Sequence, residues 1–225
     1  MKKIVLLSLG MALFCVGCTT NIIGKPKPDR TRVYLLQSTN DEQHSQSREI
    51  NPPAKPELVV GINPIEIPEY LNSFRLIYKK GGDTNNRIFQ HAFMRWGEPL
   101  ASGLSRIVCK YLTAALPKDW VVVAPWALWI SPDVVLQVTI EDWMPTLSDG
   151  ITLRVRCEFR TGKEKFSLHA KSYSNFAVLK ASSTEESIVH VMREMADKFA
   201  EELANDAREL LNAHQRRQMP DFLDK

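Results

Sequence analysis

Residues 151–159 read Ile151-Thr152-Leu153-Arg154-Val155-Arg156-Cys157-Glu158-Phe159. Ile151, Leu153, Val155, Cys157 and Phe159 alternate without a break with Thr152, Arg154, Arg156 and Glu158. Successive side chains of an extended chain point to opposite faces. The stretch is therefore a strand packed on one side and wetted on the other, as in an antiparallel sheet covered on one face. Upstream, Val134 to Ile140 alternates in the same way, with Val134, Leu136, Val138 and Ile140 together. Downstream, Thr161-Gly162 marks a hairpin turn into a strand from Lys165 to Phe176, with Phe166, Leu168 and Ala170 expected on its inner face. Trp120 to Ala124, nearly all valine, reads as a further short strand.

Two stretches of helical period flank this block. From about Glu98 to Leu116, the residues Leu100, Leu104, Ile107, Val108, Tyr111, Leu112, Ala115 and Leu116 recur at intervals of three and four and form one buried stripe. Pro99 suits the first turn, where its missing N–H costs nothing, and Pro117 closes the helix. A second, longer helix begins near Thr184, with Ser183 and Glu186 in capping-box spacing. Its stripe is Ile188, Met192, Met195, Phe199, Leu203, Leu210 and Leu211. Nearer the N-terminus, short strands are expected at Arg32 to Gln37, Leu58 to Ile67 and Phe74 to Lys79. Asn63-Pro64 should bend the second of these or place it at a sheet edge. Ser38 to Pro56 is a polar loop, Pro68-Glu69-Tyr70-Leu71 a turn, and Gly81-Gly82-Asp83 a break. The fold class that follows is α+β, a mainly antiparallel sheet with two long helices packed on one face.

The first residues have a different character. Lys2 and Lys3 precede an apolar run from Ile4 to Phe14. At about eleven residues it is shorter than the roughly 20 that cross a bilayer as a helix, and it has the length of a secretion signal. It ends in Phe14-Cys15-Val16-Gly17-Cys18, which resembles the lipobox read by lipoprotein signal peptidase, with Phe14 where leucine is usual. Cleavage before Cys18 would leave a cysteine whose sulfur carries a diacylglycerol and whose amine takes a third chain. Two or more acyl chains anchor stably, each buried methylene adding roughly 0.8 kcal/mol. Thr19, in place of an aspartate, points to the outer rather than the inner membrane. The expected organisation is a signal peptide at 1–17, a lipidated N-terminus and tether at 18–31 with Lys25-Pro26-Lys27-Pro28, a domain at 32–213 and a tail at 214–225.

Composition narrows the function. The chain has 29 basic and 26 acidic residues; without Lys2 and Lys3 the excess is about one positive charge. A nucleic-acid partner would call for a strongly basic face, so none is expected. Cys109 and Cys157 are expected to be free and buried, although an oxidising compartment would permit a bridge. The chain has no phosphate-cradling glycine loop, no nucleophile elbow and no metal-ligand spacing, so neither cofactor nor metal is expected. Glu141-Asp142 are adjacent on a strand and should face opposite ways, which makes a poor acid/base pair. His169 and His190 are expected at the surface. The unusual feature is the set of 5 tryptophans, at Trp96, Trp120, Trp126, Trp129 and Trp143. They either plug the rim of a core or, in the apolar connection holding Trp126, Leu128, Trp129 and Ile130, form a docking surface.

Several pieces, in order, resemble the ABC-type transport auxiliary lipoproteins, the PqiC/YmbA family. These are Tyr34-Leu35-Leu36, the run Val60-Gly61-Ile62-Asn63-Pro64-Ile65-Glu66-Ile67-Pro68-Glu69-Tyr70-Leu71, the motif Arg95-Trp96-Gly97-Glu98-Pro99-Leu100, and Val123-Ala124-Pro125-Trp126. The likeness runs from about Arg32 to Leu211. Gly97 stands where the family usually has alanine, and Asn72-Ser73 where it often has Asp-Arg. The resemblance implies a non-catalytic auxiliary subunit of an MCE/ABC-type lipid transport system between the two membranes. Its partner would be an MCE-domain protein, and a homo-oligomer is allowed. Tyr70, Leu71, Trp96, Glu98 and Pro99 then become structural or docking residues, alongside Trp126 and Trp129. Two other classes stay open: an outer-membrane lipoprotein that regulates a cell-wall synthase, and a periplasmic hydrolase.

Overall fold

The computed structural model describes residues 28–39, 56–82, 85–162, 166–180 and 184–218. The expected signal peptide and Cys18 lie outside the described residues, as does Ser183. The fold proper begins at Thr31. Its strands are β1 (Arg32–Tyr34), β2 (Val59–Ile62), β3 (Arg75–Lys80), β4 (Phe89–Trp96), β5 (Trp120–Val123), β6 (Val134–Leu147), β7 (Gly150–Thr161) and β8 (Ser167–Val178). The helices are α1 (Leu100–Ala115) and α2 (Glu185–Gln218), and a 3-10 turn spans Glu69–Leu71. The class is α+β, as read from the sequence, and the 8-stranded sheet is mixed.

The long ladders are the antiparallel ones, β6 with β7 and β7 with β8. On its other edge, β6 takes two partners in succession, both parallel: β2 beside Val134–Leu136 and β3 beside Thr146–Leu147. Around these, β5 adds parallel to β2, β4 antiparallel to β3, and β1 parallel to β4. The bend expected at Asn63-Pro64 is present, since β2 stops at Ile62 and pairing with β6 resumes only at Glu66 opposite Thr139. The strand is central, however, because β5 and β6 flank it on both sides.

The helices cover the face carrying Ile151, Leu153, Val155, Cys157 and Phe159, all of which are buried. From α1 come Leu100, Leu104, Ile107, Val108 and Leu112, and from α2 Ile188, Met192, Phe199, Leu203 and Leu211. Pro99 is the N-cap rather than a helical residue, with extended ψ of 136° before Leu100. Thr184 occupies the corresponding position before α2, and its carbonyl accepts from the Ser187 N–H at 2.9 Å.

Three expectations change. β4 is a full strand in a stretch read only as following a break; its buried Met94 and Trp96 alternate with exposed Phe93 and Arg95. Leu168 packs against the core as expected, but Phe166, just before β8, is 67% exposed. Beyond the irregularity between Ser167 and His169 the parity is reversed, with Ala170 exposed. Tyr173 lies opposite Val155 on the helix side and Lys171 opposite Cys157. Both reach the carboxylate of Asp206 on α2, at 2.5 and 2.6 Å, and Tyr173 packs edge-on against Phe199. Polar tips anchored on the helix set the face here, which an alternation of apolar residues cannot reveal. Finally, a bulge between Ile140 and Asp142 re-aims the chain. Glu141 and Asp142 therefore do not face apart: they pair with Arg156 (3.9 Å) and Arg154 (3.1 Å), which share one face of β7.

The segment after β1 lies close against α1. A Cβ added to Gly103 would come within 2.8 Å of the Leu36 Cβ, and Leu36 is buried. Gly103→Ala should therefore cost about 1–3 kcal/mol by overpacking. Measured by urea unfolding, the double change with Leu36→Gly, which removes that Cβ, should be less destabilising than the sum of the two single changes.

Candidate functional site

Four sequence motifs meet pairwise. Tyr34 pairs with Trp96, and the Gly97 N–H donates to the Tyr34 carbonyl at 2.8 Å. A Cβ on Gly97 would sit about 3 Å from Leu35 and Val33, namely 3.0 Å from Leu35 Cδ2 and 3.1 Å from Val33 Cγ1. Glu98 holds Arg106 through both carboxylate oxygens, and Arg106 also donates to the Leu36 carbonyl at 3.4 Å. The Tyr34 strand and the Arg95–Leu100 motif thus form one joint between β1, β4 and α1. The other two motifs meet at Gly61, which has no room for a Cβ because Trp126 Cζ3 and Pro132 Cγ would stand 2.9 and 2.8 Å from it.

The same N-terminal segment is pinned to α2. Arg32 pairs with Glu186, Arg193 donates to the Gln37 carbonyl at 3.0 Å, and Thr39 donates both its N–H and its hydroxyl to Asp197 Oδ2 at 2.7 Å. Asp197 is buried, and its other oxygen has no partner among the described residues.

Tyr70 is the middle residue of the 3-10 turn, half-buried, and donates to Asp142 Oδ1 at 3.0 Å. Arg154 donates to the other Asp142 oxygen at 3.1 Å. Burial, then the neighbouring Asp142 charge and the hydrogen bond to it, push the Tyr70 hydroxyl up to about 12. A phenol so held is a strut. It is protonated throughout the range in which a general base works.

The seven docking candidates therefore separate. Leu71 and Trp96 are core. Tyr70, Glu98 and Trp126 are half-buried and committed to contacts within the fold. Pro99 is exposed at a helix start, and Trp129 is 84% exposed. What sequence reasoning missed is an apolar face on the sheet end. Val33 and Leu35 on and after β1, with Phe93 on β4, are all exposed, and they flank Arg95, which registers with Val33. The alternation within Phe89–Trp96 was the signal for it.

A groove of about 540 Å³ runs between the exposed side of α1 and the ends of β2 and β5, lined by Ile65, Ala101, Ser105, Cys109, Val123 and Ala124 among others. Cys109 and Cys157 are free, and burial pushes the Cys157 thiol up to about 12. Among the described residues no cluster of His, Cys, Asp and Glu could hold a metal ion, and no helix is long and apolar enough to cross a membrane.

A model of the ABC-type transport auxiliary lipoprotein component family matches residues 34–204. Among solved structures, an uncharacterized protein superposes with a TM-score of 0.59 at 14% identity, covering 79% of this chain and 98% of its own. A protein of the DUF330 family from Xanthomonas campestris gives 0.58 at 13% identity, covering 74% of this chain and 93% of its own. At these identities the likeness is one of fold. No curated protein matches the chain.

The Tyr70 strut gives a test. Its folded-state pKa lies above the unfolded value of 10.0, so its contribution is complete below pH 10 and is lost as pH rises toward the folded value. Tyr70→Phe should cost about 1 kcal/mol near neutrality. In paired urea melts, the gap between the two proteins should close as pH rises from about 10 to about 12.

Proposed function

This chain belongs to the family of ABC-type transport auxiliary lipoprotein components, and from that premise we propose that it is the lipid-anchored, non-catalytic subunit of an MCE/ABC-type lipid transport system. It is cut before Cys18, acylated there and held at the periplasmic face of the outer membrane. There it steadies the far end of an MCE-domain bridge and so supports membrane integrity. The observation that carries this reading is the family match over residues 34–204, which takes in nearly all of the described fold.

Two structural features support it. The motifs that mark the family lie at joints within the fold, where they fix the frame. The face of Val33, Leu35 and Phe93 offers exposed apolar side chains around Arg95 on an edge of the sheet. Aromatic and arginine side chains of this kind anchor protein interfaces. Pro99 remains accessible as a contact residue, and the exposed apolar face would also serve a homo-oligomer.

The test is crosslinking in intact cells followed by pull-down and mass spectrometry. An MCE-domain protein should be recovered with the chain, and Phe93→Asp should reduce that recovery at least about tenfold, as loss of a hot-spot contact would. If adducts contain a glycan polymerase and no MCE-domain protein, the reading moves to the regulator of a cell-wall synthase.

A further inference from the structure

The connection from β5 to β6 has a feature that the frame does not use. From Val121 to Pro132 the chain carries no charged residue. Its middle closes as a tight turn, the Ile130 N–H donating to the Ala127 carbonyl at 2.9 Å. Leu128 and Trp129 stand at the tip, the first fully exposed and the second 84% exposed, more than any other large apolar side chain among the described residues. The base of the loop is fixed. Trp126 and Pro132 sit against Gly61, and Asp133 exchanges hydrogen bonds with Val59, N–H to carbonyl at 2.8 Å and N–H to carboxylate at 2.9 Å.

We propose that this tip inserts into the interfacial layer of the bilayer that carries the lipid anchor, with Leu128 and Trp129 forming a second membrane contact. The inference rests on the reading of the chain as anchored through Cys18. Three observations favour a bilayer over a protein groove. Tryptophan combines an apolar body with one N–H, which suits the boundary between water and hydrocarbon. The tip's flanks, Pro125-Trp126-Ala127 and Ile130-Ser131-Pro132, carry no charge and a single hydroxyl, so insertion desolvates no ion, whereas a protein hot spot is ordinarily ringed by polar groups that complete hydrogen bonds across the interface. The chain from Cys18 to Thr31 extends at most about 45 Å, which confines the domain near the membrane surface. A tip already held in shape gives up little conformational freedom on insertion, and a second contact adds to an acyl anchor as paired membrane signals do.

The experiment uses the full lipidated protein in proteoliposomes of phosphatidylethanolamine and phosphatidylglycerol, with or without dibrominated phosphatidylcholine. Bromine should quench the tryptophan emission, and iodide in the buffer should quench it less than it does in detergent. Trp129→Phe should remove most of the bromine effect, whereas Trp126→Phe should leave most of it. The proposal is overturned if emission is the same in brominated and plain vesicles while iodide quenching of wild type stays at its detergent level. A photo-crosslinker at position 129 that yields adducts with a protein, including a second copy, overturns it as well. Failure of the anchor reading would look different: the protein would not stay with the vesicles at all, whereas failure of the tip alone leaves it vesicle-bound with Trp129 wet.

Discussion

The architecture depends on one strand sharing a single edge between two partners. Along its β2 and β3 side, β6 hydrogen-bonds first to one and then to the other, while β7 occupies the opposite edge throughout. Two parallel strands can share an edge only if the first leaves before the second arrives. The bend at Asn63-Pro64 interrupts the first ladder. The chain pairs once more at Glu66 opposite Thr139 and then leaves through the turn at Glu69–Leu71, and β3 enters at Lys79 and Lys80. Between them, the bulge before Asp142 turns that carboxylate toward Tyr70 and Arg154. Tyr70 belongs to the short turn that carries the chain from β2 to β3. The Tyr70–Asp142–Arg154 contact therefore ties the crossover to the strand it spans.

Much of this was legible in the residues. The strict alternation of β7 gave its buried face without ambiguity, because every second residue is large and apolar and the intervening ones are charged or hydroxylated. The stripes of α1 and α2 were equally plain. β8 was misread because an edge strand buries little. Tyr173 alone among its residues is buried, and its neighbour Lys171 turns inward to reach a helix carboxylate, so polarity and burial point in opposite directions. The pairing of Glu141 and Asp142 with one face could not be read at all, since a bulge leaves no local mark that propensity detects.

The candidate site was legible only as motifs. Spacing does not say that Tyr34 and Trp96 face each other, or that Trp126 lies over Gly61; both contacts join residues far apart in sequence. Of the two accounts of the tryptophans, the structure divides the residues between them. Trp96 and Trp143 are core, Trp126 braces a loop, and Trp129 is left in the open. A glycine such as Gly61 or Gly103 is a better guide to a close approach than an aromatic residue, because only the absence of a Cβ permits the contact.

The order in which the chain enters the fold has a mechanical consequence. Any tension that reached the domain from the N-terminal side would arrive at Arg32, on a three-residue strand that runs parallel to its neighbour. A pull along such a strand strains its rungs together rather than one after another. Beyond β1, the side chains of Arg106, Arg193 and Asp197 grip the backbone or side chains of Leu36, Gln37 and Thr39 from both helices. Under excessive force that first segment would act as a sacrificial splice, its few rungs giving way together before the long antiparallel ladder of β6 and β7 felt any load.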